Sequence, residues 1–512
     1  MSVPGRIIKN TGFLYIKMGI TVFLSLYTTR IILGSLGETD FGIFALIGGS
    51  IALLNFLNST MASATQRFMS YAQGEGDLER QREVFNISFL LHLLVAALTL
   101  IMLLAIIHPL FHGWLNIPPD RIFASKIVYL SLIVSTLLSI INVPYEAVMN
   151  AHENMLYYSI IGVLETLLRL GIAFIVVYTD SDKLIVYGVL MAGIPLITLT
   201  VMKIYCHRHY EECRFALRKY WNPVLVRRIA SFSGWNFLTA ISYLFSAQGI
   251  GLVLNHFFGP VLNATQGIAN QLNAYMSSFS LNLMKAVSPV IVKKAGSREV
   301  DSMNLVSLAS GKFSTVLILF FCVPASLEMP YVLQLWLKDV PPWAVTFCVL
   351  QLVQTVVCQI TSSISTSIYA RGKIKHYAIW KSLTNASPLF LAWIAFTFGG
   401  GPFWLYIPML VVWGIGGDIV ILHYAARDCE LKVSDFVRQA MLPVLIVSAV
   451  MTVCGGAVVL AMPQGFVRLL LCCVATTIGM AAAMYRFGLN PAERQYILAA
   501  LSRLPFLRKS NN

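Results

Sequence analysis

The chain has 512 residues, of which 57% are hydrophobic and 12% are charged, and its formal net charge is +14. A soluble protein carries about 25% charged residues, so this composition excludes a soluble globular protein and predicts an all-α polytopic membrane protein. The Lys and Arg residues concentrate in alternate gaps between apolar stretches, as the positive-inside rule describes. The positive charge therefore gives no support for a nucleic-acid partner.

Fourteen stretches are apolar and long enough to cross a bilayer as helices, for which about 20 residues suffice. The predicted spans are 11–36, 41–66, 84–108, 122–148, 156–178, 184–205, 230–258, 263–290, 309–336, 343–370, 376–398, 403–425, 440–461 and 465–487. The odd-numbered gaps are short and poor in basic residues, and all but one of the even-numbered gaps are basic. This alternation predicts that both termini are cytoplasmic.

Span one carries Lys17, and span two carries Asn55 and Asn58 on a polar face. We expect both spans to turn these faces inward, because polar side chains are costly against lipid. The alternative for Lys17 is that its ammonium snorkels to the nearby inner surface.

Spans four and five carry the acidic residues of the first half of the chain. Glu165 and Arg169 are one turn apart and can pair with each other, and Glu146 lies near the inner end of span four. A carboxylate at membrane depth is a candidate carrier of a coupling ion, whereas a paired carboxylate is often structural.

A repeat links span four to span ten, which predicts two parallel lobes of six spans. The predicted domains are an N-terminal lobe 1–205, a basic cytoplasmic linker 206–229, a C-terminal lobe 230–425, two additional helices within 426–487 and an amphipathic tail 488–512. Such lobes are a transporter architecture with the site near the midplane. A shift of 220 residues aligns Ser131, Ser135, Ser139, Asn142 and Glu146 with Gln351, Thr355, Gln359, Ser362 and Thr366.

The linker and the tail are predicted to lie on the anionic inner surface of the membrane. Asn222 is placed to cap a helix that begins at Pro223. Asn490 and Glu493 form a capping-box pattern at the start of the tail. We expect both segments to anchor to the membrane rather than to dock a partner.

Span eight has the most unusual composition for a membrane helix. Asn263, Gln266, Asn270, Asn273, Ser277 and Ser280 recur at helical spacing, and Gln271, Ser278, Asn282 and Lys285 form a second stripe beside them. We expect this helix to line a wet or ligand-binding cavity. The alternative is that interhelical hydrogen bonds hold it to its neighbours.

Spans seven and ten add further polar faces, with Asn236 on span seven and Gln351 and Gln359 on span ten. Lys312 and Lys381 lie near inner helix ends, where we expect them to snorkel. Asp418 either pairs with a basic residue or binds a cation.

Four short motifs resemble the oligosaccharide flippases of the multidrug/oligosaccharidyl-lipid/polysaccharide exporter (MOP) superfamily in bacteria. They are Asn10-Thr11, the run LYTTRIIL at 26–33, the turn LGETDFGIF at 36–44 and Gln66-Arg67-Phe68. The resemblance extends over most of the chain, including the basic linker and the division into six, six and two spans.

The resemblance implies two lobes around a cationic cavity that opens alternately to each side of the inner membrane. Its expected substrate is a polyprenyl-pyrophosphate-linked oligosaccharide for O-antigen, capsule or exopolysaccharide assembly. Lys17 and Lys285 occupy parts of the chain where related lipid II flippases place essential arginines. The alternative is a cation-coupled multidrug exporter, but that branch resembles a pattern with an acidic residue in span one, which this sequence does not have.

The predicted site residues fall into two groups, one for substrate and one for a coupling ion. The candidate ion-coupling residues are Glu146, Glu165 and Arg169. Polysaccharide polymerase or synthase proteins are candidate partners besides the bilayer. The candidate substrate-binding residues are Lys17, Asn55, Asn58, Asn236, Asn270, Asn273, Ser277, Asn282, Lys285, Gln351 and Gln359.

No enzyme, cofactor or metal motif is found in the sequence. Gly311-Lys312 lacks the upstream glycine spacing of a phosphate-binding loop, and no HExxH or CxxC pattern occurs. A membrane acyltransferase or glycosyltransferase is expected to show acid or histidine chemistry in long outer loops, and the loops here are too short. The sequence therefore predicts a transporter whose driving force is a proton, sodium or the membrane potential.

Overall fold

The computed structural model describes residues 3–52, 54–111, 117–337, 339–491 and 493–494, without the side chains of residues 3, 4, 52 and 55. All regular structure within these ranges is helical, which confirms the predicted all-α class. The first part of the chain forms α1 (Val3–Ala52), α2 (Asn55–Glu75), α3 (Leu78–Pro109), α4 (Ile122–Ala151), α5 (Met155–Tyr178), α6 (Lys183–His209), α7 (Pro223–Phe258) and α8 (Pro260–Gly296).

The second part of the chain is broken into shorter helices. π-Helical stretches occur in three of them, at Met409–Gly416, Val437–Met441 and Met484–Gly488. The helices are α9 (Val300–Leu327), α10 (Met329–Trp336), α11 (Ala344–Gln359), α12 (Ser362–Arg371), α13 (Lys375–Thr397), α14 (Pro402–Cys429), α15 (Val433–Ala461) and α16 (Phe466–Gly488).

The chain is a multi-pass membrane protein. Among the described residues, ten helices are long and apolar enough to cross a membrane, or eleven if the bent pair α11–α12 is one span. Fourteen spans were predicted, and the difference lies in predicted spans two, eight and eleven. These segments are helical in α1–α2, α8 and α13, but they do not pass the same test of length and apolar composition.

The predicted boundary between spans one and two is wrong, because α1 continues through it to Ala52. Gly37 has φ +75° and ψ 171° inside α1, so the helix kinks at the expected turn without ending there. A positive φ at this position suits glycine, which has no Cβ. The chain next breaks between α1 and α2, within predicted span two.

Predicted span ten is bent by 40° at Ile360–Thr361, between α11 and α12. The break is packed closely on α9. A Cβ on Gly311 of α9 would lie 2.6 Å from the Ile360 carbonyl oxygen. Ser363 of α12 donates a hydrogen bond to the Ser307 carbonyl at 2.7 Å, which helps to hold the bend against α9. Broken helices of this kind line cavities in secondary transporters.

The described helices divide into two compact units. The N-terminal unit comprises Ile7–Phe237 and Val292–Arg298. The C-terminal unit comprises Leu238–Ile291 and the described residues from Glu299 onward, together with the start of α1. The division falls inside α7 and near the end of α8, so these two helices contribute residues to both units.

Two helix starts follow the predicted capping patterns. The Asn222 side chain accepts a hydrogen bond from the Leu225 N–H at 3.2 Å as α7 begins. The backbone N–H of Asn490 donates to Glu493 at 2.9 Å, and the Glu493 N–H donates to Asn490 at 2.8 Å. Both predicted caps are confirmed, and the rest of the predicted tail, residues 495–512, lies outside the described residues.

The expectation that Lys312 snorkels is wrong. Lys312 of α9 is only 2% exposed. Its ammonium donates to the Glu493 carboxylate at 2.6 Å and to the Gly488 carbonyl at 2.8 Å. A buried cation is tolerated when a carboxylate and hydrogen-bond acceptors replace its water, and here the start of the tail supplies both.

A three-residue ion cluster joins the ends of α1, α4 and α6. Arg121, just before α4, pairs with Asp40 and with Asp182, the latter at 2.7 Å between Nη1 and Oδ2. Asp182 also accepts hydrogen bonds from the Leu184 and Ile185 N–H groups as α6 begins. The cluster therefore connects three helices through a single guanidinium.

This cluster predicts an acid-dependent loss of stability. Burial raises the pKa of the Asp182 carboxyl, but hydrogen bonds from Arg121 and from backbone N–H groups outweigh it, so the pKa lies below its ordinary value of 3.8. A lowered pKa adds stability above the unfolded-state value, and this stability is lost as the pH falls below about 4. We expect Asp182→Asn to lower the thermal unfolding midpoint at pH 7 and to change it much less at pH 3.

The control for this prediction is Asp180→Asn, since Asp180 is an exposed neighbour. Thermal unfolding of the purified protein at both pH values measures the effect. An equal shift at pH 7 and pH 3 for Asp182→Asn would contradict the proposed linkage.

Candidate functional site

The C-terminal unit contains a polar cavity of about 380 Å³. Five helices line it: α7, α8, α11, α13 and α14. Their side chains converge because polar residues recur every three or four positions along α8 and α11, which places them on one face. The lining residues are Tyr243, Ala247, Ile250, Gln266, Asn270, Asn273, Ser277, Gln351, Gln354, Thr355, Cys358, Gln359, Lys381, Asn385, Met409 and Trp413.

Hydrogen bonds order many of the amides around this cavity. Thr355 of α11 donates to Asn273 Oδ1 of α8 at 2.5 Å, and Tyr406 donates to Gln266 Oε1 at 2.6 Å. Gln351 donates to Gln354 at 3.2 Å, but its own Oε1 is buried without a partner among the described residues. Four residues of the first polar stripe of α8 therefore line a cavity, and two of them also make interhelical hydrogen bonds.

Lys381 of α13 lines the same cavity, so the interpretation that it snorkels to the inner surface is wrong. A Cβ on Gly417 of α14 would lie 2.9 Å from its Nζ, which shows that this glycine leaves room for the ammonium. Lys381 interacts electrostatically with Asp418, which accepts a hydrogen bond from Thr361 at 2.5 Å. Of the two interpretations of Asp418, its position favours interaction with a basic residue.

The N-terminal unit contains a second, smaller pocket of about 110 Å³. Four helices contribute: α1, α4, α5 and α6. It brings together Lys17, Glu146 and Glu165, which the sequence analysis had assigned to two separate roles. The lining residues are Lys17, Ser139, Asn142, Glu146, Tyr158, Ile161, Gly162, Glu165, Pro195, Thr198 and Met202.

Lys17 is held in this pocket by α5. Its Nζ lies 4.4 Å from the centre of the Tyr158 ring, within the range of a cation–π interaction. A Cβ on Gly162 would lie 2.2 Å from the Lys17 Cε and 2.6 Å from its Nζ. The absence of a side chain at Gly162 therefore allows the lysine to lie along α5, and Lys17 does not only snorkel.

The carboxylates of the pocket have polar partners. Asn142 donates to Glu146 at 3.2 Å, and Arg169 donates to Glu165 at 2.7 Å. The Glu165 and Arg169 side chains are 41% and 44% exposed, so this pair is accessible. Asn142 itself is mostly buried, and its Oδ1 has no partner among the described residues.

The predicted repeat relates the linings of the two cavities. At the same shift of 220 residues, Ser139 corresponds to Gln359 and Glu165 corresponds to Asn385, and all four line a cavity. Ile161 corresponds in the same way to Lys381. The equivalent positions therefore carry a carboxylate in the N-terminal unit and a lysine in the C-terminal unit.

Several other predicted residues lie elsewhere. Lys285 and Asn282 are half-buried on α8 and are not among the residues that line either cavity. Asn236 is buried on α7, and Asn58 is half-buried on α2, with its Oδ1 unpartnered among the described residues. The side chain of Asn55 lies outside the described part of the chain.

The sequence analysis missed the aromatic and small residues of both cavities. Tyr243 and Trp413 lie 5.3 Å apart between ring centres at the C-terminal cavity. Tyr158 and Gly162 shape the N-terminal pocket. The repeat shift of 220 residues would have pointed to Lys381 and Asn385 had it been extended from span four to span five.

No known family profile matches the chain, and no curated protein matches it. Solved structures do match. A MOP-superfamily transporter from Pyrococcus furiosus, described as having a binding pocket of reversed polarity that suggests a different function, aligns with a TM-score of 0.70 and 16% identity. The alignment covers 84% of this chain and 96% of that one.

Two MATE transporters align equally well. One is a structure in a bent conformation, with a TM-score of 0.73 and 15% identity over 84% of this chain and 96% of that one. The other is a multidrug resistance MATE family transporter of the MOP superfamily in an outward-facing conformation, with a TM-score of 0.69 and 15% identity over 83% and 96%. At this level of identity the similarity shows the fold: the chain has the fold of MOP-superfamily transporters.

Proposed function

We propose that this protein is a flippase that moves a polyprenyl-pyrophosphate-linked oligosaccharide across the inner membrane of a bacterium, with both termini in the cytoplasm. The observation that carries the proposal is the cavity of the C-terminal unit, where amides and hydroxyls dominate the lining and Lys381 is its only charged residue. Amides both donate and accept hydrogen bonds, as sugar hydroxyls do. Such a lining supports a polar substrate.

The alternative is a cation-coupled multidrug exporter of the same superfamily, which the fold of the MATE transporters supports equally well. The charge of the C-terminal cavity favours the flippase. A cationic drug placed there would meet the Lys381 ammonium, and no carboxylate lines the cavity. Like charges at close range in a poorly solvated site are costly.

The N-terminal pocket is the proposed site of ion coupling. It combines Glu146, Glu165 and Lys17 with the unpartnered Asn142 Oδ1, so it offers oxygen atoms that accept a proton or a cation. Ionisable residues inside a membrane mark ion pathways more often than packing. Lys17 and Lys285 are the proposed contacts for the pyrophosphate of the substrate, by charge complementarity.

Deletion of the gene tests the function. We expect lipid-linked oligosaccharide to accumulate on the cytoplasmic face and surface polymer to be lost, since the substrate is made but not moved. Lipid extraction and polymer blotting measure both. Unchanged polymer together with new drug sensitivity would instead establish the multidrug exporter.

A pair of variants on α8 tests the cavity in the deletion strain. Asn273→Leu removes an amide that lines the cavity, and we expect it to lower polymer export by about tenfold, the effect of one or two lost hydrogen bonds. Gln271→Leu is the control, because Gln271 is exposed on the second stripe and outside the cavity lining. Equal export by both variants at equal protein level would contradict the role of the cavity.

A further inference from the structure

Lys381 is a cation without a direct partner in the C-terminal cavity. It makes no hydrogen bond or ion pair with any described residue, and its electrostatic neighbours are Asp418 and Cys358. Asp418 does not line the cavity and already accepts a hydrogen bond from Thr361. The cavity therefore has a place for one negative charge, beside Lys381.

One wall of the cavity is aromatic. Tyr243 and Trp413 present rings whose centres are 5.3 Å apart and whose planes are inclined by 37°. The Trp413 indole donates to the Asn385 carbonyl at 2.8 Å, which fixes the orientation of its ring. An aromatic face of this kind packs against an apolar ring face, and the C–H face of a pyranose is such a surface.

The opposite chemical requirement, hydrogen bonds for the rim of a sugar, is met by the amides. Gln351 is only 5% exposed, and its Oε1 has no partner within the described ranges. A buried acceptor without a donor is unfavourable, and a ligand hydroxyl satisfies it. Asn270, Asn273 and Gln354 surround the same space and add both donors and acceptors.

We propose that this cavity binds one sugar residue that carries a carboxylate, a hexuronate, and that Lys381 is the partner of its carboxylate. This inference rests on the proposed function, and it specifies a chemical class for the transported oligosaccharide. The pyrophosphate of the carrier is the other source of negative charge. A single lysine with uncharged neighbours matches one negative charge better than the several charges of a pyrophosphate, which is typically bound by clusters of cations.

Direct binding tests the proposal with the full-length purified protein in nanodiscs. The probes are glucuronate, glucose and inorganic pyrophosphate at constant ionic strength, and the readouts are saturation-transfer NMR and equilibrium titration. We expect glucuronate to bind about tenfold more tightly than glucose, because of one added charge-assisted contact. Pyrophosphate is expected not to displace glucuronate.

Two lysine variants identify the partner. Lys381→Gln is expected to lower the affinity for glucuronate by about tenfold and to leave that for glucose within about twofold. Lys375→Gln is the matched control, because Lys375 is an exposed residue at the start of the same helix. The thermal unfolding midpoint of each variant shows whether it is folded.

Three results would overturn the assignment: equal affinities for glucose and glucuronate, displacement of glucuronate by pyrophosphate, or unchanged glucuronate affinity in folded Lys381→Gln. The first indicates a neutral sugar, and the second assigns the site to the carrier phosphates. The gene deletion distinguishes these failures from failure of the proposed function. Accumulated lipid-linked oligosaccharide without glucuronate binding removes the hexuronate alone, and glucuronate binding without accumulation removes the flippase.

Discussion

Gly162→Ala is expected to lower the rate of transport by about tenfold while the protein remains folded. A Cβ at this position would lie 2.2 Å from Lys17 Cε and 2.6 Å from Nζ, so the lysine must leave the N-terminal pocket. Only the end of a flexible side chain has to move, which costs little stability. Loss of a charged group from its site costs transport about one order of magnitude.

Translocation of lipid-linked oligosaccharide into liposomes measures the first prediction, with the thermal unfolding midpoint as the check on folding. The control is Gly171→Ala on the same helix, where a Cβ meets nothing within 4 Å. If Gly162→Ala transports as fast as the control, the position of Lys17 in this pocket is not required and the coupling proposal for the pocket is wrong.

Arg468→Met is expected to destabilise the C-terminal unit by about 3–5 kcal/mol, because it leaves a buried carboxylate without its counter-ion. Glu328, between α9 and α10, has a fully buried side chain. The Arg468 Nε lies 2.7 Å from Glu328 Oε1, and Nη2 donates to Oε2 at 2.8 Å. The pair ties α16 to the end of α9, so its loss also weakens the attachment of the last helix.

The double variant Glu328→Gln with Arg468→Met is expected to recover most of the lost free energy of unfolding, since no buried charge then remains. Arg427→Met is the control, because the Arg427 side chain is 46% exposed in its pair with Asp428, and exposed pairs contribute about 0–1 kcal/mol. Chemical unfolding in detergent measures all four proteins. A double variant as unstable as Arg468→Met would show that packing, and not the unpaired charge, is responsible.

Much of the fold and part of the candidate site could be predicted from the chain alone. The polar stripe of α8 is a local feature, because residues three or four apart in sequence share a helix face whatever surrounds them. Gln266, Asn270, Asn273 and Ser277 therefore line a cavity as a single group. The caps at Asn222 and Asn490 depend on neighbours within a few residues and were predictable for the same reason.

Charged side chains were harder to interpret, because their roles depend on residues far away in sequence. Lys312 near a helix end suggests snorkelling until Glu493 is seen 2.6 Å from its ammonium. Lys381 has the same sequence context, yet it lines a cavity with residues of four other helices. Sequence position gives the depth of a lysine in the membrane, whereas its environment depends on which helices pack around it.

The sequence by itself determined that this protein is an α-helical membrane protein and that α8 is too polar to face lipid, since composition and helical periodicity are properties of single segments. The tertiary structure alone decided that Lys17 shares a pocket with Glu146 and Glu165, and that Lys381 shares one with the amides of α8 and α11. The physical reason is that these groups lie on separate helices, and only packing between helices sets which charges and hydrogen-bonding groups come within reach of one another.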